Sequence, residues 1–462
     1  MCGIAGASNH PEAAKIIFLA LYALQHRGEE AAGIVSYDGE NVHMTKAPGL
    51  VADTFDEKAL NSLRGKVAIG HTRYSTTGSS NLKNIQPFLV THKNKPLAVA
   101  HNGNLTNTES LYKQLEEEGS IFQTSMDSEL IIHLLVKEKN GDLKEKFKKI
   151  LSQLQGAFSL IFLVEDTLVG VRDPSGFRPL CLGKLDDSYI LASESCALDL
   201  MKAKFIREIE PGEVVFIKGK KLESCFLPDA SKTRPSQCIF ENIYFARPDS
   251  HIFGDNVYLV RKRLGKQLAK EHSAKGADFV MSIPDSGNYA ALGFAQESGL
   301  PLEIGMIRNH YIGRTFIQPS QFLRDFRVRV KLNPITEVLK GKKIVVVEDS
   351  IVRGTTSRSR IEEIRRTGVK EIHMRISCPP IRFPCFYGID FPSRRELIAS
   401  KKSVKVIADF IKVDSLKYLS LEGMLSVMKD KRAFCHACYS GEYPVCIPKN
   451  KSKYLLEGPG KR

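Results

Sequence analysis

No stretch of the 462-residue chain approaches the ~18 consecutive apolar residues of a membrane-spanning helix, so no membrane span is expected. The opening Met1-Cys2-Gly3-Ile4-Ala5-Gly6 has neither a basic n-region nor a long apolar h-region. It is therefore expected to be no signal peptide, and the chain to be cytoplasmic. Internal repeats and low-complexity segments are absent. With 42% hydrophobic and 26% charged residues, the composition excludes a disordered, collagen-like or disulfide-framework protein. At roughly 100–200 residues per domain the length suggests more than one domain. Acidic residues are in deficit: 67 Lys and Arg against 52 Asp and Glu give a formal charge of +15. Such an excess serves nucleic acid or highly anionic small substrates, or is a solvated basic surface. No zinc-finger, RRM or basic-zipper pattern accompanies it, so nucleic acid is not expected. The basic residues are densest over 324–331, 353–366 and the tail 449–462, which reads as a loose end.

Ten cysteines are many for a reducing compartment, where disulfides do not persist. Cys181, Cys196 and Cys225 sit in apolar or strand-like surroundings and read as small hydrophobes. Cys435-His436-Ala437-Cys438 differs, because two cysteines three apart can converge on one metal. The first half reads as short strands over 67–70, 97–100, 158–164, 167–171, 189–192 and 214–218, with helices near 13–25 and 128–137. That pattern predicts a mixed, layered sheet-and-helix domain. A polar stretch over 227–236 follows as a linker. The second half alternates: helix 257–269, strand 279–283, helix 289–296, strand 344–347, and helix 356–366 closed by Gly368. A continuous apolar run such as Ile344-Val345-Val346-Val347 is typical of a strand buried on both faces of a parallel sheet. A doubly wound α/β domain is expected, with ligands at the carboxyl ends of its strands.

The segment 344–357 carries the strongest local chemistry. A buried strand delivers Glu348 and Asp349 to its end, and Ser350, Arg353, Gly354, Thr355 and Thr356 form a loop opening a helix, whose unpaired N–H groups can cradle a phosphate. No Gly-Lys-Ser/Thr occurs there, so it is not a Walker A loop. Acids beside a phosphate cradle suit a ligand with both phosphate and hydroxyls, as in ribose 5-phosphate. Pro284-Asp285-Ser286-Gly287 reads as a second anion-binding turn. A basic stretch over 308–331, with Arg314, Arg324, Arg327, Arg329 and Lys331, reads as a lid or as a solvated loop. At the other end, removal of Met1 would leave Cys2 with a free α-amine of pKa about 7.7–8, able to act as base for its own thiol. Around it stand His26-Arg27-Gly28, the segment 70–76, His101-Asn102-Gly103-Asn104-Leu105 and Asp127-Ser128-Glu129. Each alone is an ordinary polar turn; together they can line one cleft. The Asn102 side chain and the Gly103 N–H suit an oxyanion hole for acyl transfer. Arg73 and Asp127 suit the carboxylate and ammonium of an α-amino acid.

The segment 344–357 resembles the phosphoribosylpyrophosphate (PRPP) signature of type I phosphoribosyltransferases. The strings around Cys2 resemble the class II, N-terminal-nucleophile (Ntn) glutamine amidotransferases. The pair, from Cys2 to about Tyr443, is similar to the glutamine PRPP amidotransferase family, as are the segments 172–179, 192–196, 245–249, 387–390 and 419–423. The resemblance implies an Ntn-hydrolase αββα sandwich over 2–232, a phosphoribosyltransferase α/β domain with a parallel sheet over 238–446, and a basic tail over 447–462. It implies transfer of ammonia from glutamine to PRPP, giving 5-phosphoribosylamine, glutamate and pyrophosphate, the first committed step of de novo purine synthesis. Asp285, Ser286, Glu348, Asp349, Ser350, Arg353, Gly354, Thr355 and Thr356 would bind PRPP, with Mg2+ at Ser286, Glu348 and Asp349. Cys238, Cys385, Cys435 and Cys438 match the ligands of a 4Fe-4S cluster, a set that also suits tetrahedral zinc. Cys378 and Cys446 match no ligand position and read as structural. A homotetramer inhibited by purine nucleotides is implied as well. Two departures stand out. Only Met1 precedes Cys2, where iron–sulfur members often carry a propeptide, so no self-cleavage is expected. Glu348-Asp349 stands where two aspartates are common, which touches the detail of the magnesium contact. The rival readings are a PRPP-sensing regulator without catalysis and another amidotransferase, such as one making glucosamine phosphate, whose sugar-isomerase half is missing from this sequence.

Overall fold

The computed structural model describes residues 1–74, 82–309, 332–391 and 393–447. Its first part is built from two antiparallel sheets. In the seven-stranded sheet, Gly3–Ser8 is central, paired with Val67–Arg73 on one side and Ser188–Ala192 on the other. The six-stranded sheet runs from Lys221–Phe226 through Glu213–Lys218, Thr167–Arg172, Gly156–Val164 and Lys95–Leu105 to Phe88–His92. Alternation decides the layering. Ile4, Ile69, Ala98, Ile161, Leu168 and Val215 point between the sheets and are fully buried. Ala5 and Ala7, on the opposite face, are small enough for helix Ala13–Ala23 to lie on them. Helices Thr108–Glu117, Asp127–Lys137 and Leu143–Leu151 cover the outer face of the other sheet through Leu115, Leu130 and Phe147. Phe147 meets Phe162 edge-on at 4.9 Å, a contact worth about 0.5–1.5 kcal/mol beyond area burial. The result is an αββα sandwich, as the resemblance implied.

The second part centres on a four-stranded, wholly parallel sheet in the order Phe279–Ser282, Lys343–Glu348, Glu371–Ile376, Ser415–Tyr418. Ile344, Val345, Val346 and Val347 are all inaccessible to solvent, as expected for a strand covered on both faces. Helix Val257–Glu271 is capped by Asn256, whose Oδ1 accepts the Leu259 N–H at 3.2 Å. It packs closely on helix Asn288–Ser298, because a Cβ at Gly265 would fall 1.9 Å from the Ala290 carbonyl oxygen. Gly368 lies at φ +81° just past helix Thr355–Arg366 and ends it as predicted. A short parallel pairing of Gln237–Cys238 with Phe434–Cys435 ties the start of this part to its end.

Among the described residues no helix is long and apolar enough to cross a membrane. The basic lid residues Arg314, Arg324, Arg327, Arg329 and Lys331, the residues Ser75 and Thr76, and the tail beyond 447 lie outside the described residues.

Candidate active site

The central strand Gly3–Ser8 starts one residue after Cys2, and its register, Gly3 opposite Thr72, carries Cys2 to the level of Arg73. Asn102 reaches Cys2 from the other sheet: its Oδ1 accepts the Cys2 N–H at 3.2 Å. The Cys2 carbonyl accepts from Arg27 Nε at 2.9 Å, and Cys2 Sγ lies 3.5 Å from the Tyr74 carbonyl oxygen. Asn102 is fully buried, and its Nδ2 finds no hydrogen-bond acceptor among the described residues. A buried donor left unmet is costly, which makes this amide one held ready for an oxygen that arrives with a ligand. Gly103 must be glycine, since a Cβ there would fall 2.0 Å from the Ala157 carbonyl oxygen. Asp127, in the first turn of its helix, accepts the Leu105 N–H at 3.1 Å and faces His101 Nδ1 at 3.2 Å. Burial pushes His101 down, but the Asp127 carboxylate outweighs it and holds the ring above its ordinary value. His71 is pulled down to about 3 by burial and then by Arg73, so it is neutral at physiological pH. Cys2, Asn102 and Gly103 therefore come together, with Arg73 beside Cys2 and Asp127, from its helix, bonded to Leu105 at the end of the strand that carries Asn102.

The second constellation lies where strands Phe279–Ser282 and Lys343–Glu348 end side by side. The Ile283 N–H donates to the Val347 carbonyl at 3.0 Å, and a Cβ at Gly287 would stand 2.5 Å from that same oxygen. The turn Pro284-Asp285-Ser286-Gly287 is thereby laid against the end of the neighbouring strand, with a cis bond between Pro284 and Asp285. Asp349 is buried and accepts from Ser350 Oγ at 2.5 Å and from Ser286. Glu348 turns the other way, into the following helix, where it accepts from Ser357 Oγ at 3.0 Å and Arg360 Nη1 at 2.6 Å. Burial pushes Glu348 up to about 7, against the pull of Arg360, and also raises Asp349. Gly354 sits at φ +75° as the N-cap of helix Thr355–Arg366 and, having no side chain, caps none of its first N–H groups. Arg353 pairs with Glu396 at 3.0 Å, and Asp285 pairs with Arg308.

Cys238, Cys385, Cys435 and Cys438 line one pocket, with Arg178, Tyr387 and Phe391 among its other walls. The parallel pairing sets Cys238 directly opposite Cys435. The Arg382 and Phe383 N–H groups hold the Cys438 carbonyl at 3.0 and 3.1 Å, and the Tyr387 N–H points at Cys385 Sγ at 3.4 Å. All four are free thiols, and burial pushes those of Cys238, Cys435 and Cys438 up. Among the described residues no three His, Cys, Asp or Glu side chains form a ready site for a single ion. The donor set nevertheless suits a thiolate-bound cofactor: four sulfurs on a common, otherwise largely apolar pocket. Cys378 is buried and Cys446 exposed, and neither lines this pocket.

Sequence reasoning gave no role to a buried ionic network between the two parts. Arg27, fully buried, donates to Glu194 from the sandwich and to Glu241 from the second part, the latter at 2.8 Å. Glu194 also accepts from Ser250 Oγ at 2.6 Å and the Arg247 N–H at 2.9 Å, and it faces His26 Nε2 at 2.8 Å. Burial pushes the Glu194 carboxyl up, but His26 and Arg27 hold it well below the usual range. Arg178, also fully buried, reaches Glu241 at 3.4 Å and Met1 Sδ at 2.5 Å. In the sequence, Arg27 and Glu194 fall in the segments 26–28 and 192–196 already noted, and Glu241 stands inside the apolar string Cys238-Ile239-Phe240-Glu241-Asn242-Ile243.

A cysteine at the head of the central strand of an αββα sandwich, joined to a parallel sheet with an acidic edge and a glycine-opened turn, is the architecture of a glutamine amidotransferase coupled to a phosphoribosyltransferase domain. A family model described as a glutamine amidotransferase domain matches residues 71–200. Amidophosphoribosyltransferase from Archaeoglobus fulgidus is 48% identical over 97% of this chain and 99% of its own length. Amidophosphoribosyltransferase 1, chloroplastic, from Arabidopsis thaliana is 49% identical over 96% of this chain and 78% of its own. The solved glutamine PRPP amidotransferase from B. subtilis, complexed with ADP and GMP, superposes with a TM-score of 0.91 at 44% identity, covering 98% of this chain and 100% of that one. The chain belongs to the amidophosphoribosyltransferase family. Its reaction carries ammonia from glutamine to PRPP, in purine biosynthesis, and yields 5-phosphoribosylamine, glutamate and pyrophosphate.

Proposed function

We propose that Cys2 is the nucleophile of the glutamine half-reaction and that the end of the Lys343–Glu348 strand is the PRPP site. The observation that carries the first assignment is the unmet, buried Asn102 amide, whose own oxygen is anchored on the Cys2 N–H. Removal of Met1, which is buried against Arg178, frees the Cys2 amine to take the thiol proton. The thiolate attacks the carboxamide carbon of glutamine, and Asn102 Nδ2 and the Gly103 N–H receive the developing oxyanion. Arg73 and Asp127 hold the carboxylate and ammonium of glutamine. The Cys2 ammonium returns that proton to the amide nitrogen as ammonia leaves, and water then hydrolyses the thioester to release glutamate and the thiol. In the second part, Asp285 through its backbone N–H, with Ser286, Ser350, Arg353, Gly354, Thr355 and Thr356, holds the phosphates of PRPP, while Glu348 and Asp349 face its ribose. Ammonia attacks C1 and pyrophosphate departs. Ser286, Asp349 and Glu348 would hold Mg2+, which would supply charge neutralisation for that leaving group. The Glu348 contact requires exchange of its present partners, Arg360 and Ser357.

The glutaminase domain spans 2–232, the phosphoribosyltransferase domain 238–446, and a basic tail 447–462. Cys238, Cys385, Cys435 and Cys438 hold a 4Fe-4S cluster with a structural role. Inhibition by purine nucleotides is supported by the ADP and GMP bound to the B. subtilis relative. A cytoplasmic homotetramer completes the reading. The test is Cys2→Ala, which should abolish glutamine-dependent synthesis and leave ammonia-dependent synthesis near the wild-type rate. Retained glutamine use, or loss of both activities in a folded variant, would overturn the assignment.

A further inference from the structure

The strand that carries Asn102 and Gly103 is touched on its far side by the loop that follows Cys385. Asn104 Nδ2 donates to the Phe386 carbonyl at 2.8 Å. Gly388, at φ +106°, lies so close that a Cβ there would stand 3.1 Å from the Gly103 carbonyl oxygen and 3.3 Å from its Cα. Gly103 thus lies against both Ala157 and Gly388. The loop itself is fixed. The Tyr387 carbonyl accepts from Arg178 Nε at 3.1 Å and Nη2 at 2.5 Å, and the Tyr387 ring stacks on Phe177 with centroids 4.3 Å apart. The Tyr387 hydroxyl donates to the Val445 carbonyl at 2.7 Å.

We infer that Gly388 and Asn104 are positioning residues for the glutamine half-reaction: through them a loop of the second part sets the oxyanion hole of the first. The inference rests on the reading of Asn102 and Gly103 as oxyanion donors. An oxyanion donor works only where its N–H meets the oxygen of the transition state, and displacement by a fraction of an ångström suffices to weaken it. Gly388→Ala puts a methyl group against Gly103 and strains the loop. Asn104→Ala removes the tie without adding bulk.

Both variants should lower kcat of glutamine hydrolysis by about tenfold, a fraction of the ~10²–10³-fold loss on deleting a donor outright. KM for glutamine, ammonia-dependent synthesis and the rate of Cys2 alkylation by iodoacetamide should stay at wild-type values, because none of these uses the oxyanion hole. Asn102→Ala is measured in parallel. If it loses glutaminase kcat while Asn104→Ala and Gly388→Ala keep theirs, the positioning role is wrong and the oxyanion hole stands. An unaffected Asn102→Ala sinks the oxyanion reading itself. Equal loss of glutamine- and ammonia-dependent rates in Asn104→Ala and Gly388→Ala would show a general structural role and also overturn the inference.

Discussion

Glu348 and Asp349 are neighbours in sequence with opposite tasks. Asp349 lies with the hydroxyls of Ser286 and Ser350, at the carboxyl end of the strand. Glu348 is folded into the helix behind, against Ser357 and Arg360. Asp349→Asn should cut both glutamine- and ammonia-dependent synthesis by more than about 100-fold through lost PRPP binding, as measured by titration with PRPP; unchanged PRPP affinity would reduce the acidic pair to a strand end. Glu348 gives a pH signature. Its carboxyl, ordinarily near 4.5, is pushed up to about 7 by burial, so the folded protein keeps a proton that the unfolded chain has already lost. Its contribution to stability therefore falls as pH rises from about 4.5 to about 7 and levels off above. The stability of the wild type relative to Glu348→Gln should decline by on the order of 3 kcal/mol across that window, in denaturant titrations without divalent cations. With Mg2+ and PRPP bound against Glu348 as proposed, the ionised form is favoured, so their affinity should improve as pH climbs through about 7. Parallel pH curves for the two proteins would count against it.

At the scale of elements, the short helical segment Glu241–Phe245 joins the two sites. Glu241 begins it, beneath Arg27, and the Arg27 guanidinium also lies over the Phe245 ring, 5.3 Å from its centroid. Tyr244, near its other end, is raised by burial and further by the charge of nearby Asp349. Glu241→Ala should destabilise the protein by about 3–5 kcal/mol, because Arg27 and Arg178 lose a buried acceptor, and a drop in thermal midpoint would record it. A change within experimental error would mean that Glu194 alone suffices for Arg27. This segment also marks where the sequence stops being readable. Ile344-Val345-Val346-Val347 announced its strand because a parallel sheet covers both faces. Gly3–Ser8, the strand that carries Cys2, did not, since its Gly and Ala residues are there to let a helix lie close and carry little strand signal. The proposed roles of Cys2, Asn102 and Glu348-Asp349 rest on residue types in turns that the sequence displays. The ionic network of Arg27, Glu194 and Glu241 was not legible, because the partners that justify burying these charges lie 63 to 214 positions apart.

For the whole molecule, the thiol pocket is the point where distant parts of the chain meet. Cys238 follows directly on the sandwich, Cys385 follows the third strand of the parallel sheet, and Cys435 and Cys438 lie near the end of the described chain. Only the Cys435–Cys438 pair had a spacing that suggested joint ligation; the other two entered by resemblance, and the bridge of Cys238 to Cys435 is a tertiary fact. Cofactor binding by four such thiolates is folding free energy, on the order of 10 kcal/mol for a structural zinc, more than most domains have in reserve. Cys438→Ser should therefore give a colourless, poorly stable protein with iron and sulfide reduced together. Because Cys385 is three residues from Gly388, glutamine hydrolysis should decline before ammonia-dependent synthesis as this variant is warmed. The measurements are visible absorbance, iron and sulfide content of anaerobically purified protein, a thermal melt, and both activities followed against temperature. A Cys438→Ser protein with wild-type colour and melting point would remove Cys438 from the ligand set. Wild-type protein carrying zinc and no iron would keep the four ligands and replace the cofactor. Parallel loss of the two activities would confine the pocket's influence to overall stability and detach it from the oxyanion strand.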